Sequence, residues 1–207
     1  YIQFFSMPGR HGELFFNCPR IMRVNGARTE DLTRAQIEGR RLIPSILEFC
    51  RRYMAGFEQG YVAWTAPMVG VRETRRILGE YVFSADDVLT GAKFEDAAAR
   101  SAYPIDVHYP DRAGVSIKPP PPGDYYEVPF RCLVPVRPDG LLVTGRCISA
   151  TFEGQSAMRV VGPVRALGQA AGIAAATAAL TGTSPRRLDP HDLRRRFEAA
   201  GVLGDPD

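Results

Sequence analysis

Two stretches of this sequence have residue types and spacing suited to chemistry. In Leu141-Leu142-Val143-Thr144-Gly145-Arg146 an apolar run, read as a buried strand, ends in a glycine followed by an arginine. A glycine there lets the backbone turn sharply and approach a bound group with no side chain between them. Further on, Gly162-Pro163 opens an Ala-rich run over residues 164–180 that reads as a helix. Pro163 suits the first helical position, where its missing N–H costs nothing. The start of such a helix offers unpaired N–H groups and the positive end of the macrodipole, which stabilise an anionic or electron-rich ligand. Gly145, Gly162 and Pro163 are therefore candidate residues beside a bound group. Glu153 and Arg159 flank Ser156 in an intervening segment read as a loop. Ser156 and Arg159 could orient the same ligand; an ion pair inside the loop explains the charges equally well.

The second stretch is Arg72-Glu73-Thr74-Arg75-Arg76. If it is extended, Arg72 and Arg76 share one face, and an arginine fork there could hold a substrate carboxylate or hydroxyl. Ion pairing with Glu73 and Glu80 is the plainer account of Arg75 and Arg76. His108, at the end of an apolar strand, could take the proton of an alcohol or amine while a hydride leaves. Arg72 and His108 are thus the candidate catalytic residues. No Ser-His-Asp order, P-loop or paired-carboxylate spacing points to hydrolysis. The four cysteines form no CxxC pair and the three histidines are scattered, so a metal centre is not expected.

These residues need elements to position them. Residues 1–24 read as a β-hairpin, with strands over 1–7 and 13–17 and a turn over Pro8-Gly9-Arg10-His11-Gly12. A helix is predicted from near Thr33, with Thr33 and Gln36 at capping-box spacing. Its apolar stripe is Ile43, Ile46, Leu47, Cys50, Tyr53 and Met54, and Pro44 predicts a kink or break. Residues 61–66 and 69–80 read as strands, Ser84 as the cap of a short helix, residues 94–101 as helical and residues 103–107 as a strand. Gly162 and Pro163 are preceded by the loop 147–161. Gly168 and Gly172 in the long helix predict a close neighbour on that side. Asp189 and Pro190 open a last surface helix. The proline run Pro119–Pro122 marks a candidate boundary between lobes.

Apolar residues make up 45% of the chain and charged residues 24%, enough for a globular core. A net charge of +3 does not by itself point to nucleic acid or to a membrane surface. Widely spaced cysteines suit a reducing cytoplasm. The opening Tyr1-Ile2-Gln3-Phe4-Phe5 reads as the middle of a strand, and predicts a piece of a longer protein.

Residues 141–180 resemble the C-terminal flavin segment of FAD-dependent oxidoreductases of the glutathione-reductase-like structural class. Residues 70–81 (GVRETRRILGEY), 103–108 (YPIDVH) and 128–135 (VPFRCLVP) resemble the same family, in the same order. The resemblance implies an α/β fold: a doubly wound FAD domain with an inserted substrate lobe built on an antiparallel sheet. This chain, by itself an α+β piece, would supply part of the substrate lobe (1–128), the C-terminal strand and helix of the FAD domain (129–182) and a helical tail (183–207). Thr144, Gly145 and Arg146 would sit by the pyrophosphate or ribityl chain of FAD. Gly162, Pro163 and Val164 would set the helix start near the pyrimidine edge of the ring. The implied activity is hydride transfer from a small organic substrate to flavin. A homo-oligomer or a separate N-terminal FAD-binding part would complete the protein. Two features depart from the family pattern. No Gly-x-Gly-x-x-Gly loop occurs in the sequence, and Phe152 stands before Glu153 where the family often has histidine. A non-catalytic binding module derived from such a lobe, or a flavin-dependent isomerase or dehydratase, are the alternatives.

Overall fold

A computed structural model describes residues 2–204, so the Tyr1 end of the expected hairpin lies outside the described residues. The chain divides into two compact units, residues 1–71 with 110–112 and residues 72–109 with 113–207.

In the first unit, β1 (Phe4–Met7) and β2 (Arg10–Phe16) form the expected antiparallel hairpin, with Phe4 opposite Phe16 and Phe5 opposite Phe15. Gly9 and Gly12 take positive φ of 77° and 80° around its turn. Phe4, Phe16 and Phe57 form an aromatic cluster with centroids 5.4 to 6.1 Å apart. Helix α1 runs over Thr29–Tyr53, one turn earlier than the Thr33 cap predicts. Glu30 and Asp31 lie in its first turn, where they suit the macrodipole, and Asp31 accepts the Asn25 N–H at 2.8 Å. The helix continues through Pro44 without a break. Residues 61–66 form no strand, because they find no ladder partner; instead Gln36 bonds Pro67 O (3.3 Å) and Val69 N (2.8 Å).

The second unit carries α2 (Ala85–Leu89), β3 (Ala97–Ser101), β4 (Ile105–His108), β5 (Val115–Lys118), β6 (Tyr126–Pro129), α3 (Phe152–Met158), α4 (Val161–Thr181) and α5 (Pro190–Ala199). β3 pairs antiparallel with β6, and β4 with β5. This mixed helix and antiparallel-sheet architecture is that of an α+β chain. Its core gathers Phe83, Ile105, Tyr126, Leu133, Ile148, Met158, Leu167 and Phe197.

Several elements differ from expectation. Residues 94–101 do not form a helix: Ala97, Ala98 and Ala99 are fully buried in β3, where small side chains let α4 pack closely on the strand. Pairing with β6 overrides the helical preference of alanine. Residues 72–80 are extended but make scattered bonds rather than a ladder, such as Ile77 N–H to Cys147 O at 2.9 Å and a single bridge between Gly79 and Pro135. Residues 141–144 are not a buried strand. Val143 N–H reaches Leu133 O at 2.8 Å, and Leu141 is 45% exposed. The predicted loop 147–161 contains α3, capped by the Thr151 hydroxyl on Gly154 N–H at 3.1 Å. Ser84 makes the expected capping box with Asp87, and Asp189 caps α5.

Candidate active site

The turn Gly145–Cys147 packs against α4. Gly145 has φ of +86°, a conformation that a side chain would strain, and this explains the glycine. Next to it the Thr144 hydroxyl is buried without a hydrogen-bond partner. A buried hydroxyl in that state costs about 1–3 kcal/mol, so a ligand that bonds it has a ready contribution to binding. Helix α4 begins at Val161, and its capping residue Val160 makes no side-chain cap. No acidic residue stands in its first turn. Pro163 lies in the third helical position and is buried, so Val161 and Gly162 supply the first-turn N–H donors. Both are exposed, and a Cβ added at Gly162 would meet nothing within 4 Å. Val164 lies one turn in, half-buried, with its N–H bonded to Val160 O. The donor set is thus exposed and uncapped.

Helix α3 ties this turn to the other candidates. Gln155, 1% exposed, donates its Nε2 protons to Arg72 O (3.3 Å) and Arg146 O (3.2 Å). One buried amide therefore registers Arg72 against the Gly-Arg turn. Ser156 lies on the same helix, 4% exposed, with its hydroxyl turned back onto Glu153 O at 2.7 Å. Arg159 follows the helix, and it does not pair with Glu153. It donates to Asp106 Oδ2 at 3.1 Å and to the Asp106 carbonyl at 3.2 Å, while Glu153 meets Lys118 at 3.5 Å.

Asp106 is the hub of a second cluster. His108 Nε2 lies 3.1 Å from its Oδ1, and the Tyr103 hydroxyl donates to Oδ2 at 3.2 Å. Burial, then the charge and hydrogen bond of Asp106, push the Tyr103 phenol up, while Arg159 and Arg72 pull it down. Arg72 therefore lies within electrostatic reach of this cluster. Arg76 pairs with Glu73, as the plainer account expects, whereas Glu80 is taken by Arg186 at 3.2 Å rather than by Arg75 or Arg76. The fold thus brings Arg72, His108, Arg146 and Arg159 into one network. Asp106, Tyr103 and Gln155 were not singled out by the sequence. The spacing Asp106-Val107-His108 on one strand face is the signal for the first; nothing local marks Gln155.

Gly168 and Gly172 have no close neighbour, since an added Cβ at either would meet nothing within 4 Å. They lie on the exposed side of α4, together with Val161 and Leu180. No helix among the described residues is long and apolar enough to cross a membrane.

A model of the FAD dependent oxidoreductase family matches residues 1–197, almost the whole length, and the chain belongs to that family. No curated protein and no solved structure matches it.

Proposed function

We propose that this chain carries the ring end of an FAD site and the substrate-side groups of an oxidoreductase acting on a small organic substrate. FAD, when bound, supplies the two-electron acceptor. Thr144, Gly145 and Arg146 would hold its ribityl or phosphate portion, and the N–H groups of Val161 and Gly162 would face the pyrimidine edge. The positive end of α4 then favours the ring when it gains negative charge. Arg72 binds and orients a substrate carboxylate or hydroxyl with its planar fork. His108 accepts the proton of the substrate alcohol or amine on Nδ1, the nitrogen opposite its contact with Asp106. The same reading assigns residues 1–128 to a substrate lobe of the glutathione-reductase-like class, 129–182 to the flavin domain and 183–207 to a helix and tail. The sequence has no Gly-x-Gly-x-x-Gly, so the dinucleotide end of the cofactor stays unassigned.

The observation that carries the proposal is the buried, unpartnered Thr144 hydroxyl beside a positive-φ glycine, in a chain that also has an uncapped helix start at Val161. Thr144→Val keeps the shape and removes the hydroxyl. Without ligand the variant should be more stable by about 1 kcal/mol, and it should bind FAD about 5- to 10-fold more weakly. Thermal melts and calorimetric titration read the two effects. Unchanged affinity for FAD would remove Thr144 from the site.

A further inference from the structure

We infer that Asp106 is the positioning residue of this site: it holds the His108 ring in the tautomer with its proton on Nε2, and Arg159 with Tyr103 holds the carboxylate in the orientation that does so. The inference rests on the reading of His108 as proton acceptor, and it names the residues that prepare it for that task.

Asp106 and His108 stand two apart on β4, so both side chains leave the same face of the strand. Oδ1 of Asp106 lies 3.1 Å from Nε2 of His108. A carboxylate oxygen only accepts, so the proton at this contact belongs to Nε2, and the lone pair of the neutral ring falls on Nδ1. The other oxygen, Oδ2, is taken by two donors, Arg159 Nη2 at 3.1 Å and Tyr103 OH at 3.2 Å. Arg159 also donates to the Asp106 carbonyl at 3.2 Å, so one guanidinium clamps the backbone and the side chain of the same residue. Rotating the carboxylate out of this plane would break these contacts together, so Arg159 and Tyr103 fix the carboxylate with one oxygen presented to His108.

The group is enclosed: the side chains of Asp106, His108 and Arg159 are 12%, 11% and 14% exposed. The pair of Asp106 with Arg159 is sufficient to pin β4 to the end of α3, and Tyr103 completes the satisfaction of Oδ2. His108 meets the other oxygen, Oδ1, a contact that orients the ring. The remaining charged groups on the elements packed against β4 are Lys118 of β5 and Glu153 of α3, which pair with each other at 3.5 Å.

Nitrogen-15 spectra of the full chain with labelled histidine, recorded in alkaline solution where the ring is neutral, read the tautomer directly. His108→Gln assigns the signals. In the wild type we expect a pyrrole-type Nε2 and a pyridine-type Nδ1. In Asp106→Asn the amide oxygen stays with Arg159 and Tyr103, so its NH2 group faces Nε2 and makes that nitrogen an acceptor. The two signals should then exchange types, and flavin reduction by substrate should slow about 100-fold. A merely structural carboxylate predicts no such exchange. A wild-type ring averaging between tautomers, or an Asp106→Asn ring that keeps its proton on Nε2, would overturn the inference. The wild-type spectrum decides even if the variant does not fold. A locked wild-type ring, with flavin reduction unaffected in His108→Gln, upholds the positioning and removes His108 from the proposed reaction instead.

Discussion

Arg72 is held from behind. Its carbonyl accepts from the buried Gln155 amide, which also donates to the Arg146 carbonyl, so its backbone is fixed relative to the Gly-Arg turn. If its guanidinium binds substrate, Arg72→Lys keeps the charge but loses the fork, and KM should rise about 10-fold while kcat changes little. Steady-state kinetics would show this, and a fall in kcat alone would place Arg72 elsewhere. Gln155→Leu leaves two carbonyls without their donor and should lower stability by about 2 kcal/mol in chemical denaturation. Among single residues, those with an identity tied to local backbone shape were legible in the sequence. Gly145 shows its turn, and Asp189 with Pro190 shows a helix start. Gln155 and Asp106 were not legible, because a buried amide or carboxylate acquires meaning only from the distant groups that surround it.

Helix α3 carries Gln155 and leads into Arg159, so the site depends on its seat. Gly154 sits against Phe83, where an added Cβ would lie 2.4 Å from a backbone carbonyl oxygen. Gly154→Ala should therefore destabilise the protein by about 1–3 kcal/mol. Gly168→Ala in α4 is the same chemical change in open space, and should stabilise by about 0.5–1 kcal/mol because helical glycine is costly. Thermal melts of the pair should move in opposite directions. The hairpin, the Ser84 helix, α4 and α5 were legible because turns, caps and compositional runs are local signals. β3 was not, since three alanines prefer a helix until β6 and α4 enclose them. Residues 61–66 have strand composition but no partner, and alternation alone does not make a sheet.

In the second unit as a whole, distant segments are joined by buried polar ties. Glu127, 1% exposed, accepts from Arg100 at 3.1 Å, Arg194 at 3.2 Å and Phe94 N–H at 2.8 Å, linking β6, β3 and α5. Burial, the dominant cause, pushes the Tyr126 phenol up from 10.0 to about 12. The unfolded chain thus loses this proton first as pH rises. Stability from Tyr126 is complete below its unfolded pKa and is lost as pH rises through the folded value, by about 2–3 kcal/mol in all. Burial also pushes the Cys132 thiol up, which moves the onset of that loss to lower pH, from its ordinary 9.0. Denaturation measured at stepped alkaline pH should show this decline, and Tyr126→Phe should flatten its upper part. The central claim is that this chain holds the ring end of FAD rather than its adenine end. Equilibrium titration of flavin fluorescence with the full chain tests it most directly. Saturable quenching by the chain, competed by flavin mononucleotide and not by ADP, is the predicted result. Competition by ADP alone, or no change in flavin fluorescence at any chain concentration, would contradict it.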